Sequence, residues 1–105
     1  MFLNVFRNRM RAGIDTVALK ADMIRIEMLA KVQPGFISFK SYSADDGEVV
    51  SMSEWTSEAA VEAWALDPDY DRIVKRWRSD YYQSYTLFSC TEPRVRHFQR
   101  GHLWP

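Results

Sequence analysis

Trp64 and Tyr70 stand six residues apart on either side of an Asp67-Pro68 step, in the run "EWTSEAAVEAWALDPDY" (54–70). An indole beside a helix break can line a cavity between helix and sheet, or it can fill a core. A phenol just past the break can hydrogen-bond a substrate oxygen or assist a proton transfer. Its body can lie flat against a polycyclic ligand. It can equally start a helix with its hydroxyl in water. A second group lies near the beginning of the chain, where Asn4 and Asn8 alternate with Phe2 and Phe6 in "FLNVFRNR". On a strand these four share one face. Amides between large rings are unusual for pure core, because a buried amide needs hydrogen-bond partners. These patterns single out Trp64, Tyr70 and Asn8, with Asn4 and Phe6 beside them, as the candidate site.

Other chemistries have little support. No Ser-His-Asp set, phosphate-cradling glycine loop or dinucleotide fingerprint is visible. Cys90 is the only cysteine, which rules out an internal disulfide and a thiolate metal cluster. His97 and His102 lack metal-site spacing and carboxylate company, so no metal is expected. Trp55, at the end of a strand, reads as a staple between strand and helix. Lys75, Arg76 and Arg78 read as a solvated helix face.

The elements that would position these residues are well signalled. Residues 2–9 are β-favouring and close at Ala12-Gly13. Asp15 is a candidate N-cap for a helix reaching about Val32, in which Val17, Ala21, Ile24, Met28 and Val32 recur at helical spacing. Pro34-Gly35 ends it. "FISFKSYS" (36–43) and "VVSMSEW" (49–55) read as a hairpin, with Asp46-Gly47 supplying two positive-φ residues for a tight turn. Thr56 or Ser57 caps a short helix through Leu66, and Asp67-Pro68 restarts a helix with Asp as cap and Pro at the first position. Residues 81–90 form a last strand. Tyr82, Ser84, Thr86 and Phe88 fall on one of its faces and Tyr81, Gln83, Tyr85 and Leu87 on the other. Periodicity does not say which set meets the helices.

This order, β-α-β-β-α-β, predicts an α+β, ferredoxin-like fold: a four-stranded antiparallel sheet with helices on one face and the second helix broken at Asp67-Pro68. Both strand faces carry large apolar residues. The uncovered face thus calls for a partner, and a homodimer closing sheet against sheet is the economical solution.

The chain has 105 residues, enough for one domain, with 47% hydrophobic and 27% charged content. Four Trp, five Tyr and six Phe are many rings for that length, so core, pocket or interface must house them. The formal net charge is zero, which disfavours nucleic-acid binding. Arg7, Arg9 and Arg11 and then Arg94, Arg96 and Arg100 bracket an acidic middle. The start has no signal-peptide pattern and no apolar run is long enough for a membrane span, so a cytoplasmic protein is expected.

The run "PGFISFKSYSADDGEVVSMSEWTSEAAVEAWALDPDYDRIVKRWRSDYYQSYTLFSC" resembles the antibiotic biosynthesis monooxygenase (ABM) domain, a dimeric α+β-barrel. The shared pattern is Gly-Phe opening strand two, a hairpin turn with Gly and a Trp ending strand three. Ser-Glu, a helix carrying Ala-Trp, an Asx/His-Pro break and a late Tyr-rich strand follow. The resemblance spans residues 1–95 and leaves 96–105 as a basic, aromatic tail, whose Phe98 and Trp104 are candidates for burial on a partner subunit.

The resemblance implies a cofactor-independent monooxygenase of a small aromatic or polyketide-like substrate, with molecular oxygen as co-substrate. With no cofactor motif, such chemistry draws on the substrate's own electrons: a phenol or anthrone is deprotonated in a dry pocket and its carbanion reduces dioxygen. The family places a pocket tryptophan at Trp64. Many relatives carry His at Tyr70. Heme-degrading relatives have a pocket Asn that Asn8-Arg9 matches, but their heme-binding His is Val74 here, which argues against heme. Quinone-forming relatives have an Asn one turn before the Trp, and here that residue is Ala60. The alternative on the same fold is a non-catalytic dimeric module that binds a small aromatic ligand. A lactone isomerase, needing an acid/base pair, ranks lower, and an RNA-binding sheet lower still, because its aromatic strand would be third.

Overall fold

A computed structural model describes residues 1–101. Strand β1 (Phe2–Met10) leads to helix α1 (Thr16–Lys31), whose N-cap Asp15 accepts from the backbone N–H of Val17 and Ala18 at 3.1 and 3.0 Å. Strands β2 (Phe36–Ser43) and β3 (Val49–Trp55) pair as a hairpin. Helix α2 (Glu58–Ala65) is capped by Ser57, which accepts from Ala60 N–H at 3.2 Å. Helix α3 (Pro68–Arg76) is capped by Asp67, which accepts from Asp69 and Tyr70 N–H. Pro68 opens α3, where a missing N–H costs nothing.

The hairpin turn differs from expectation. Only Gly47 takes a positive φ, +89°. Gly47 N–H reaches Ala44 O (3.0 Å), Ala44 N–H reaches Glu48 O (2.8 Å), and the Asp46 carboxylate accepts from Glu48 N–H. The connection is thus longer by one residue than a two-residue turn, and a single left-handed position suffices.

After α3 the chain widens into one π-helical turn, Trp77–Tyr81, where Tyr82 N–H bonds back to Trp77 O. The last strand, β4 (Tyr82–Thr91), consequently starts one residue later than the sequence suggests. The sheet order is β2-β3-β1-β4, all antiparallel and not closed, with helices on one face. This is the expected α+β ferredoxin-like fold.

The core forms where α1, α2 and α3 meet the Trp55 end of the sheet. Trp55 is fully buried between Phe36 and Trp64, at ring-centroid distances of 5.5 and 5.1 Å. Its place between strand and helix is that of a staple. On α1, Ile26 and Ala30 are buried, and Leu19, Met23 and Leu29 pack beside them. The other apolar row of α1, picked out by its spacing, faces away. Val17 and Val32 are 80% and 78% exposed, and Ala21, Ile24 and Met28 lie between them in solvent. Helix α1 carries two apolar stripes, and spacing alone does not rank them.

Gly35 sits at the tightest point of this layer, with φ +93° and its carbonyl accepting from Thr56 N–H at 2.8 Å. A Cβ there would lie 2.6 Å from Ala60 Cβ and 2.7 Å from Thr56 Oγ1, so only glycine lets β2 pass under α2. No helix among the described residues is long and apolar enough to cross a membrane.

Candidate functional site

Strand pairing fixes which residues face the helices. Phe39, Ser53, Asn4 and Ser89 form one cross-strand row on that face; Ser41, Ser51, Phe6 and Leu87 form the next. Val49, Asn8 and Tyr85 follow in the third. Where a closed core would present Val, Leu or Ile at nearly every position, these rows place serines and asparagines at Asn4, Asn8, Ser41, Ser51, Ser53 and Ser89. Their short side chains cannot reach the helices, and a cavity of about 420 Å³ results. Its floor sets serines and asparagines among Phe6, Phe39, Val49 and Leu87, and its roof is largely apolar, made by Leu19, Met23 and Ile26 of α1, Trp64 of α2 and Val74 of α3.

All five expected residues line this one cavity: Trp64, Tyr70, Asn8, Asn4 and Phe6. Trp64 and Tyr70 meet across the helix break with ring centroids 4.6 Å apart. Trp64 donates its Nε1–H to Ile26 O of α1 at 3.3 Å. With its one donor committed, Trp64 offers a ligand its ring and nothing else. The same indole rests on Trp55, so it belongs to core and cavity wall together.

Asn8 is 5% exposed and its Oδ1 has no hydrogen-bond partner among the described residues. A buried amide left open toward a cavity costs stability unless something else binds it. Asn4 differs, since its Oδ1 accepts from Ser89 Oγ at 2.9 Å. On the far side of the floor, the Ser41 and Ser51 hydroxyls pair at 2.7 Å.

Tyr82 and Tyr85 complete an aromatic end wall with Phe6. Tyr82 packs on Phe6 at 5.6 Å and on Tyr85 at 5.4 Å. Strict alternation puts Tyr82 and Tyr85 on opposite faces of β4, but a register shift between Arg9 and Met10 brings both into the cavity. Tyr85 and Leu87 therefore face the helices, while Thr86 and Phe88, paired with Arg7 and Val5, face away.

The phenols are electrostatically distinctive. Burial raises the Tyr70 pKa above the ordinary phenol value, and the positive charge of Arg78 partly offsets it. Burial raises Tyr82 further, followed by the neighbouring Tyr70 and Tyr85, again with Arg78 in opposition. At neutral pH both are uncharged donors. Neither hydroxyl is hydrogen-bonded to another of the described residues.

The basic run on α3 and the turn is not a uniform solvated face. Lys75 does pair with Asp71 on the surface. Arg76, however, forms an ion pair with Asp22 of α1, which also accepts from Trp77 Nε1 at 3.0 Å. Arg78 lies on the cavity wall. Glu27 of α1 does as well, and it is the one carboxylate there. Helical spacing reads Arg76 and Arg78 as a solvated face and gives no reason to single out Glu27, and the π-helical turn interrupts the helical register at Arg78. The floor serines had a readable signal: Ser51 and Ser53 alternate on the same face as Trp55.

Among the described residues no three His, Cys, Asp or Glu side chains cluster closely enough to hold a metal ion. Val74 lines the cavity with an apolar side chain that cannot ligate heme iron. His97 and Phe98 are exposed, Phe98 lying under Arg100. His102 and Trp104 lie outside the described residues.

Residues 1–76 match the family model described as antibiotic biosynthesis monooxygenase. The chain belongs to that family. A relative by sequence is the uncharacterized protein YqjZ of Bacillus subtilis, 32% identical over 77 residues, which cover 73% of this chain and 68% of that protein. Among solved structures, the Rv0793 protein of Mycobacterium tuberculosis superposes with a TM-score of 0.78 at 16% identity, covering 91% of this chain and 98% of that one. SnoaB of Streptomyces nogalater, described as a cofactor-independent oxygenase, superposes with a TM-score of 0.74 at 16% identity, covering 90% of this chain and 94% of its own. At such identities the structural likenesses establish the ABM fold, and no shared reaction.

Proposed function

We propose that this ABM-family chain is a cofactor-independent monooxygenase of a small aromatic or polyketide-like substrate, with molecular oxygen as co-substrate. The observation that carries this reading is the cavity itself, which sets the Trp64 ring and the Tyr70 phenol opposite an amide floor that includes the unpartnered Asn8. Flat rings suit the apolar roof, and hydroxyl or carbonyl edges suit the floor. The description of SnoaB as a cofactor-independent oxygenase gives the fold a precedent.

In this reading a ring-flanked CH₂ loses a proton to Glu27, and the resulting carbanion passes electrons to dioxygen. A C–O bond forms and water departs, so that CH₂ and O₂ become C=O and H₂O, with all four electrons supplied by the substrate. Asn8 binds the developing oxyanion, Tyr70 donates to the substrate oxygen and Trp64 holds the rings. The working unit is a cytoplasmic homodimer. The homodimer is supported by the row Met52, Val5 and Phe88 on the helix-free sheet face, where Met52 and Phe88 are 37% and 47% exposed.

One observation favours a second reading, a dimeric ligand-binding module without chemistry. Glu27 already faces Lys31 at 3.4 Å, and burial makes the Tyr70 and Tyr82 phenols hold their protons tightly. Oxygen uptake with 1,8-dihydroxyanthrone and related dihydroxynaphthalenes separates the two. Catalysed uptake that falls sharply in Trp64→Phe supports the oxygenase. Uptake no faster than the uncatalysed rate across the panel, with binding retained, supports the module.

A further inference from the structure

Among the described residues three ionic side chains line the cavity, and two of them have local company. Glu27 faces Lys31, and the Lys40 ammonium lies 5.5 Å from the Tyr42 ring centroid. Arg78 forms no ion pair with any of the described residues. Its backbone is nevertheless held firmly. The two preceding residues, Arg76 and Trp77, are both tied to Asp22 of α1, so the π-helical turn is pinned to the opposite helix just before Arg78.

Tyr70, Val74 and Arg78 line the cavity from successive turns of α3 and the π-helical turn, and Tyr82 opens the strand that follows, so the guanidinium shares that end of the cavity with two uncharged phenols, both of which feel its charge. Two neutral O–H donors and one cation without an ion-pair partner thus line the end of the cavity where α3 passes into β4, while Glu27 and Lys40 line it from α1 and β2. Such a group suits a carboxylate: the guanidinium fork matches its geometry, and charge-assisted hydrogen bonds are the stronger kind. Arg78 is also exposed, so a carboxylate beside it keeps part of its hydration and avoids the full penalty of burial.

We propose that Arg78, with the hydroxyls of Tyr70 and Tyr82, forms an anion seat that selects aromatic ligands bearing a carboxylate. This rests on the reading of the cavity as an aromatic-ligand site, and it adds the class of ligand. The rings enter under Trp64 and the acid remains at the Arg78 side.

The test compares anthraquinone-2-carboxylate with its neutral isostere anthraquinone-2-carboxamide. Binding to the full chain is followed by quenching of tryptophan fluorescence, for which Trp64 is well placed. The carboxylate should bind the unaltered protein about tenfold more tightly than the amide, a difference of about 1.4 kcal/mol. In Arg78→Gln the carboxylate preference should vanish, with the near-ultraviolet dichroism retained. Equal binding to the unaltered protein, or a carboxylate preference that survives in Arg78→Gln, overturns the anion seat and leaves the cavity reading standing. Binding of neither probe overturns both.

Discussion

The Trp64 indole and the Tyr70 phenol touch across a helix break, with centroids 4.6 Å apart and planes tilted by 57°. Asp67 makes this possible. Its carboxylate caps α3 while Pro68 turns the chain, so two helices deliver one ring each to the same wall. The arrangement separates two roles. Trp64 is anchored to Ile26 and Trp55, whereas the Tyr70 hydroxyl is free to meet a ligand.

That separation sets the expected behaviour of Tyr70→Phe. The hydroxyl has no protein partner to lose, so the thermal midpoint should be unchanged. Turnover of 1,8-dihydroxyanthrone should drop about 100-fold, the size of a lost proton donor. Oxygen-electrode assays beside calorimetry check both halves. Unaltered turnover would reduce Tyr70 to a wall residue.

Asn8→Leu should have opposite effects on stability and on binding. The substitution nearly preserves volume and removes a buried amide whose Oδ1 lacks a partner. Stability should rise by about 1–2 kcal/mol, the cost of an unsatisfied buried group. Affinity for hydroxylated aromatic ligands should fall. Urea unfolding and fluorescence titration on the same samples decide it, and a destabilised variant would mean that Asn8 has a structural partner.

Gly35→Ala should be destabilising by roughly 1–3 kcal/mol, since the backbone there is unfavourable for any side chain. The new Cβ would also press on Ala60 and Thr56. Because the strain falls at the Trp55 end of the sheet, chemical unfolding should register it while the ligand affinity of the folded fraction stays unchanged.

Alkaline titration should find Tyr70 and Tyr82 among the last tyrosines to ionise, as read from the 295 nm absorbance. Both folded values lie above the unfolded one of about 10. The folded state therefore holds these protons more tightly than the unfolded chain does. Their contribution to stability is complete below pH 10 and is lost as the pH climbs through the folded values. Unfolding midpoints should be flat up to about pH 9 and decline above it. In Tyr82→Phe the decline should be shallower.

The fold was readable because its signals are local: Asp15, Ser57 and Asp67 each cap a helix through contacts within three residues. The five pocket candidates could be named because alternation on β1 and a proline break are local features too. Tyr82 was grouped with Thr86 and Phe88 and apart from Tyr85 because parity assumes an uninterrupted ladder, and the shift at Arg9 and Met10 belongs to the partner strand. Arg78 was hidden by the widened turn. The packing stripe of α1 was ambiguous because two apolar rows satisfy the same period, and only the sheet chooses between them.

The serine floor has an evolutionary consequence. The cavity is kept open by short side chains on hydrogen-bonded strands, not by a loop or a lid. Single substitutions at Ser41, Ser51 or Ser53 can thus reshape it without disturbing strand pairing. A lineage built on this floor can exchange one ligand for another in small, separately tolerated steps while its architecture persists.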